Sequence, residues 1–95
     1  EFLPMNGVYV TYINLGNNKL EGITNIGFRP TFGKKDLLIE SHIFDFNQSI
    51  YNQEITIEFI NRIRSEKKFD SVEKLIENIN KDVEHGRRAF KSKND

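Results

Sequence analysis

Glu40 and His42, two side chains able to move protons, sit inside the most apolar run of the chain, Leu37 to Phe46 (LLIESHIFDF). A run so rich in Leu, Ile and Phe reads as a buried strand. Alternation puts Leu38, Glu40, His42, Phe44 and Phe46 on one face, and Leu37, Ile39, Ser41, Ile43 and Asp45 on the other. Glu40 is therefore flanked by apolar neighbours. A carboxylate there must be paired, hydrated in a cleft, or pushed toward its neutral form. Two readings follow: a rim carboxylate held by a cross-strand Lys or Arg, or a general base in a pocket. His42 reads as a structural histidine, and His85 as a cation near a helix end. The sequence has no cysteine, which excludes disulfides, thiolate metal sites and a cysteine nucleophile. Two histidines far apart do not suggest a histidine-rich metal site.

The elements that must position these groups are few. The chain of 95 residues fits one small domain. Its 37% hydrophobic and 29% charged content suits a modest core. Fourteen basic residues balance fourteen acidic ones, so the net charge is zero, which argues against a general nucleic-acid or membrane-surface binder. No apolar run is long enough for a membrane span, and no signal-peptide pattern opens the chain; a cytoplasmic location is the default expectation. The chain opens on EFLPMN with no initiator Met, which reads as the interior of a larger protein.

Gly7 to Leu15 (GVYVTYINL) is dominated by β-branched and aromatic residues and predicts a strand. Gly16-Asn17-Asn18-Lys19 supplies a turn, and Leu20 to Phe28 returns as the second strand of a hairpin. Gly22 and Gly27 inside it predict a bulge or a close approach. Arg29 to Asp36 (RPTFGKKD) reads as a basic loop, either an ordinary connection or a flap over a ligand. Asn47 to Gln53 is a polar turn. Glu54 to Arg62 alternates with Ile55, Ile57 and Phe59 inward, and Ile63 to Phe69 is a charged connection. Val72, Leu75, Ile76, Ile79, Val83 and Phe90 then recur at helical spacing. The helix is predicted from about Ser71 to about Phe90, with Asp70 as N-cap and Glu73 completing a capping box. Four strands without long crossovers, then a helix, predict a mainly β fold: a small antiparallel, Greek-key-like barrel closed by a C-terminal helix.

Several of these segments together resemble the riboflavin kinase domain. They are Asn6-Gly7-Val8-Tyr9, Ile23 to Gly33 (ITNIGFRPTFG), Ile39 to Phe46 (IESHIFDF), Ile50-Tyr51, Phe59 to Arg64 (FINRIR) and Glu66 to Ser71 (EKKFDS). They span nearly the whole chain, in order. In bacteria that domain is usually the C-terminal part of a bifunctional riboflavin kinase/FMN adenylyltransferase (FAD synthetase). The resemblance implies a six-stranded antiparallel barrel with a C-terminal helix. It implies transfer of the γ-phosphate of ATP to the 5′-hydroxyl of riboflavin, with Glu40 as the base. It places the flavin against Arg62, Ile63, Arg64, Glu66 and Phe69, and the adenosine side nearest Asp45 and Tyr51. Arg29 to Lys35 resembles the flap over the substrates. The family's Pro-Thr-x-Asn motif for Mg-ATP has no counterpart here, since Pro30-Thr31 is followed by Phe32-Gly33.

The expectation is thus a riboflavin kinase-like domain over residues 1–95. Its N-terminal strands and the main ligands of Mg-ATP would lie upstream, leaving the barrel incomplete at that side. No metal ligand is assigned within the chain. Small-molecule partners, riboflavin and ATP, are expected, with a linked adenylyltransferase domain and neither nucleic acid nor membrane. One alternative is a non-catalytic flavin- or protein-binding barrel fragment. Another is a small nucleic-acid-binding barrel suggested by Tyr9, Tyr12 and Phe28, which the zero net charge opposes.

Overall fold

The computed structural model describes residues 4–48, 50 and 53–94. It contains four strands, β1 (Gly7–Leu15), β2 (Asn18–Thr31), β3 (Lys34–Ile43) and β4 (Ile55–Arg64), followed by one helix, α1 (Val72–Asn94). The strands form one antiparallel sheet in the order β3-β2-β1-β4. β1, β2 and β3 are joined by tight turns, and β4 returns across the sheet to pair with β1, which is Greek-key connectivity. Among the described residues the sheet does not close, so β3 and β4 are both edges.

The hairpin of β1 and β2 forms as its β-branched residues and the turn at Gly16 predict, with Gly7 opposite Ile26 and Leu15 opposite Asn18. β2 runs on to Thr31, and β3 starts at Lys34. The segment Arg29 to Asp36, expected as a loop, is instead mostly a second hairpin, reversed at Phe32 and Gly33 with φ of 36° and 81°. Pro30 is tolerated because β1 pairing ends at Ile26, leaving this part of β2 with a neighbour on one side only.

The expectation of a buried central strand is corrected. β3 is an edge strand, exposed along most of its length, and it ends at Ile43 rather than Phe46. Leu37 and Ile39 are 42% and 40% exposed because only β2 flanks them. Phe44, in the turn after the strand, is the member of that run that enters the core. Asp45 beside it adopts φ 56°, a left-handed conformation that Asp tolerates better than most residues.

The core lies where α1 crosses β1 and β2. Val8, Val10, Ile23, Phe44 and Phe90 are buried together, with Tyr12, Ile60, Ile63, Val83 and Ala89 around them. Phe90 stacks edge-on against Phe44 and tilts against Tyr12. Ile60 and Ile63 reach this core because β4 carries register shifts at both positions, which break its alternation. The opposite face buries Tyr9, Thr11, Ile13, Thr24 and Ile26 without help from the helix, so the twisted strands curl around it. Thr11, Thr24 and Ser41 join their hydroxyls across that face, at 2.9 and 2.7 Å.

The helix starts one residue later than its expected cap. Ser71, not Asp70, accepts the Lys74 amide on its side chain at 3.2 Å, and its carbonyl takes the Leu75 amide. Asp70 instead pairs with Lys74. The second half of α1 seats Val83 and Phe90 on the sheet. The apolar stripe of its first half does not reach the sheet, and Val72, Leu75, Ile76 and Ile79 stay 40–66% exposed.

Candidate active site

The overhang of α1 leaves a cleft of about 360 Å³ between helix and sheet. Its floor follows from strand register. Val8 on β1, Asn25 on β2 and Glu40 on β3 lie side by side in one cross-strand row, and Ile23 and His42 make the next. The predicted alternation therefore holds for Glu40 and His42, which share the cleft face. The helix supplies Leu75, Ile79 and Asp82 as a roof, and the end of β4 with the segment after it supplies Arg64, Lys67 and Phe69 as a wall. The cleft is thus an apolar slot with a carboxylate at one end and a cation-bearing wall at the other, a form suited to a flat, partly polar ligand.

Glu40 is exposed, standing on the outer strand of the floor. The desolvated setting expected from its flanking residues is not present, because β3 has no strand beyond it. What it has instead is position: it opens directly on the slot, next to Asn25. The Asn25 Oδ1 is buried and accepts no hydrogen bond from the described residues. An unpaired buried amide oxygen is costly, and a donor brought by a ligand would relieve it.

Arg64 reaches the cleft because the register shift between Val8 and Tyr9 puts it opposite Val8, on the helix side. Its Nε and Nη2 hold both carboxylate oxygens of Asp82, the closest contact being 2.7 Å. Its Nη1 donates to the Ser65 carbonyl at 3.0 Å, and its guanidinium lies 5.8 Å from the centre of the Phe69 ring. Phe69 is half-buried at the cleft wall.

Of the residues singled out in the sequence, Glu40, Arg64 and Phe69 converge on the cleft. Glu66 stands beside it, its carboxylate lying against Gly27, so the expected close approach at that glycine comes from the Glu66 side chain. Arg62 points elsewhere and donates to the Asn6 carbonyl at 2.6 Å. Ile63 packs on the core. Asp45 lies at the other end of the helix, its two oxygens held by Arg87 at 2.9 and 3.0 Å. The Arg87 hydrogen bonds, then its charge, hold the Asp45 carboxyl below its ordinary value. Tyr51 lies outside the described residues.

Asn25, Lys67, Leu75, Ile79 and Asp82 line the cleft without having been singled out as site residues. Asp82 did carry a signal: it is an acidic residue at helical spacing from Ile79, inside the apolar stripe. Asn25 carried none, since only the register of β2 against β3 sets it beside Glu40. Among the described residues no three His, Cys, Asp or Glu side chains gather closely enough to hold a metal ion. No described helix is long and apolar enough to cross a membrane.

The family model for riboflavin kinase (flavokinase) matches residues 1–90. The chain is 41% identical over 91 residues to the bifunctional riboflavin kinase/FMN adenylyltransferase of Bacillus subtilis, covering 93% of this chain and 29% of that protein. It is 41% identical over 90 residues to the Haemophilus influenzae protein of the same name, covering 94% of this chain and 29% of that one. A crystal structure from Streptococcus pneumoniae, described as a macrolide-efflux protein, superposes with a TM-score of 0.84 at 35% identity, over 90% of this chain and 28% of that one. The chain thus spans less than a third of the length of these relatives. It belongs to the riboflavin kinase family.

Proposed function

We propose that the cleft is the flavin side of a kinase site that transfers the γ-phosphate of ATP to the 5′-hydroxyl of riboflavin, giving FMN and ADP. The observation that carries this is the convergence of Glu40, Arg64 and Phe69, three residues distant in sequence, on one slot in a chain of this family. In the reaction the riboflavin 5′-oxygen attacks the γ-phosphorus, its bond to the β–γ bridging oxygen breaks, and ADP leaves. Glu40 accepts the hydroxyl proton and later returns it to solvent. Phosphoryl transfer depends mainly on positioning and charge stabilisation, and a placed base adds about 10²–10⁴ in rate. An exposed carboxylate at the cleft mouth suits a hydroxyl presented from within the slot.

The isoalloxazine would lie between Ile23 and Val8 below and Leu75 and Ile79 above, with Phe69 against its edge. Arg62, Ile63 and Glu66 would bracket the same loop from outside the slot. Asp45 and Tyr51 are the proposed adenosine side. The exposed turn at Phe32 and Gly33, at the far end of β2 and β3, is the proposed flap. In the cleft Asp82 is committed to Arg64, so Glu40 alone faces it as a free carboxylate, and these residues by themselves do not fit a Mg²⁺ site. The ligands of Mg-ATP are proposed to come from outside this chain, as is the adenylyltransferase activity that the relatives' names carry. The proposed setting is the cytoplasm. Macrolide efflux, in the description of the pneumococcal structure, is not carried over, because the family model and both relatives name riboflavin kinase.

Titration of riboflavin with the protein should quench its fluorescence. Phe69→Ala removes part of the ring burial, about 1.5–3 kcal/mol when complete, and should weaken binding by about tenfold. A folded protein that leaves riboflavin fluorescence unchanged would sink the proposal.

A further inference from the structure

We propose that Asp82 is a positioning residue for the flavin site, acting through Arg64 on the loop that carries Phe69. The proposal rests on the flavin reading above. Asp82 is 4% exposed, on the face of α1 that elsewhere meets the sheet. A carboxylate so placed persists only with a strong partner. Arg64 supplies one in fork geometry: Nε to Oδ1 at 3.0 Å and to Oδ2 at 3.2 Å, and Nη2 to Oδ2 at 2.7 Å. Such a pair fixes orientation as well as distance, which a lysine could not do.

The fork holds more than itself. Residues 65–71 belong to neither strand nor helix, and Arg64 is the last residue of β4. Its remaining terminal nitrogen, Nη1, ties the first loop carbonyl, that of Ser65, at 3.0 Å. Its plane backs the Phe69 ring at 5.8 Å. Asp82 thus fixes Arg64 from the helix, and Arg64 fixes both the start of the loop and the aromatic wall. All three line the same cleft. Each guanidinium nitrogen already has a protein acceptor, so Arg64 serves a flavin chiefly by holding Phe69. The pair also neutralises the Arg64 charge beside the apolar slot.

A merely structural ion pair would change stability and leave the folded protein's affinity alone. The test is riboflavin affinity by fluorescence quenching, with folding checked by circular dichroism. Asp82→Asn should bind riboflavin about tenfold more weakly than the unmutated chain, the scale of a pairwise coupling between touching residues. In a Phe69→Ala background the same change should cost less than about twofold, because the wall it positions is gone. Arg64→Lys keeps the charge and loses the fork. It should show the same pattern, and it serves if Asp82→Asn does not fold. Folded Asp82→Asn or Arg64→Lys with unmutated affinity overturns the proposal, and so do losses that add independently to that of Phe69→Ala. If the unmutated protein binds no riboflavin, the flavin reading falls first and this one with it.

Discussion

Gly86 seats α1 against Ile23 of β2 and against Phe44. A Cβ added there would stand 2.9 Å from Ile23 Cγ2 and 2.9 Å from Phe44 Cζ, with Phe44 Cε2 at 3.4 Å. Two opposed terms decide Gly86→Ala. Alanine gains about 0.8–1.0 kcal/mol of helix propensity over glycine. Against it, one extra methyl in a packed site costs about 1–3 kcal/mol. The upper part of that range applies because neither neighbour yields easily. Ile23 is β-branched and stiff at χ1, and Phe44 is buttressed edge-on by Phe90. The net expectation is a loss of about 1–2 kcal/mol for Gly86→Ala. Gly86→Val adds two further methyls for a smaller propensity gain, so its loss should exceed that of Gly86→Ala by at least about 1 kcal/mol. Urea unfolding reads both as midpoint shifts at constant slope. Ile23 also floors the cleft, so riboflavin affinity should fall along with stability. If Gly86→Ala were more stable by the full propensity term of about 1 kcal/mol, the helix would have room to spare, and the packing described here would be refuted.

Thr24→Val removes the middle hydroxyl of the Thr11–Thr24–Ser41 chain and takes from the fully buried Thr11 hydroxyl its partner. A stability loss of about 1–3 kcal/mol is expected by urea unfolding, with riboflavin affinity unchanged because Thr24 itself does not line the cleft; a loss below about 0.5 kcal/mol would count against it. Arg87 donates to the exposed Asp45 and lowers its pKa from 3.8. A depressed carboxyl stabilises the fold above its unfolded value and loses that contribution as pH falls through the folded value. Arg87→Gln should therefore be less stable than the unmutated chain well above pH 3.8. Below the depressed value the gap should shrink to what the lost stacking of Arg87 over Phe44, at 4.7 Å, leaves behind. A gap that does not change with pH would contradict the pairing.

The parts of the fold set by local pattern were readable in the sequence. The hairpin of β1 and β2 follows from β-branched runs around Gly16-Asn17, and α1 from its helical stripe. Strict alternation also put Glu40 and His42 on one face before any strand partner was known. What alternation does not contain is which strands are neighbours. LLIESHIF reads as interior, yet β3 is an edge, and its apolar residues remain partly exposed. The register shifts on β4 were equally invisible, although they turn Ile60 and Ile63 to the core and Arg64 to the cleft. The helix cap was misplaced by one residue because Asp70 and Ser71 are both good caps, and only geometry chooses between them. For the site, the residues carried by resemblance divide by position. Glu40, Arg64 and Phe69 meet, whereas Arg62, Ile63 and Asp45 are engaged elsewhere in the fold.

The most direct test of the proposed chemistry is FMN formation from riboflavin and ATP by the whole protein that contains this domain and the proposed Mg-ATP ligands, carrying Glu40→Gln. The amide keeps the size and the hydrogen-bonding reach of the carboxylate and cannot take the proton. The expected result is a kcat lowered by about 10²–10⁴ with riboflavin affinity within about twofold of the unmutated protein. An unchanged kcat, or a loss confined to riboflavin binding, would contradict Glu40 as the base.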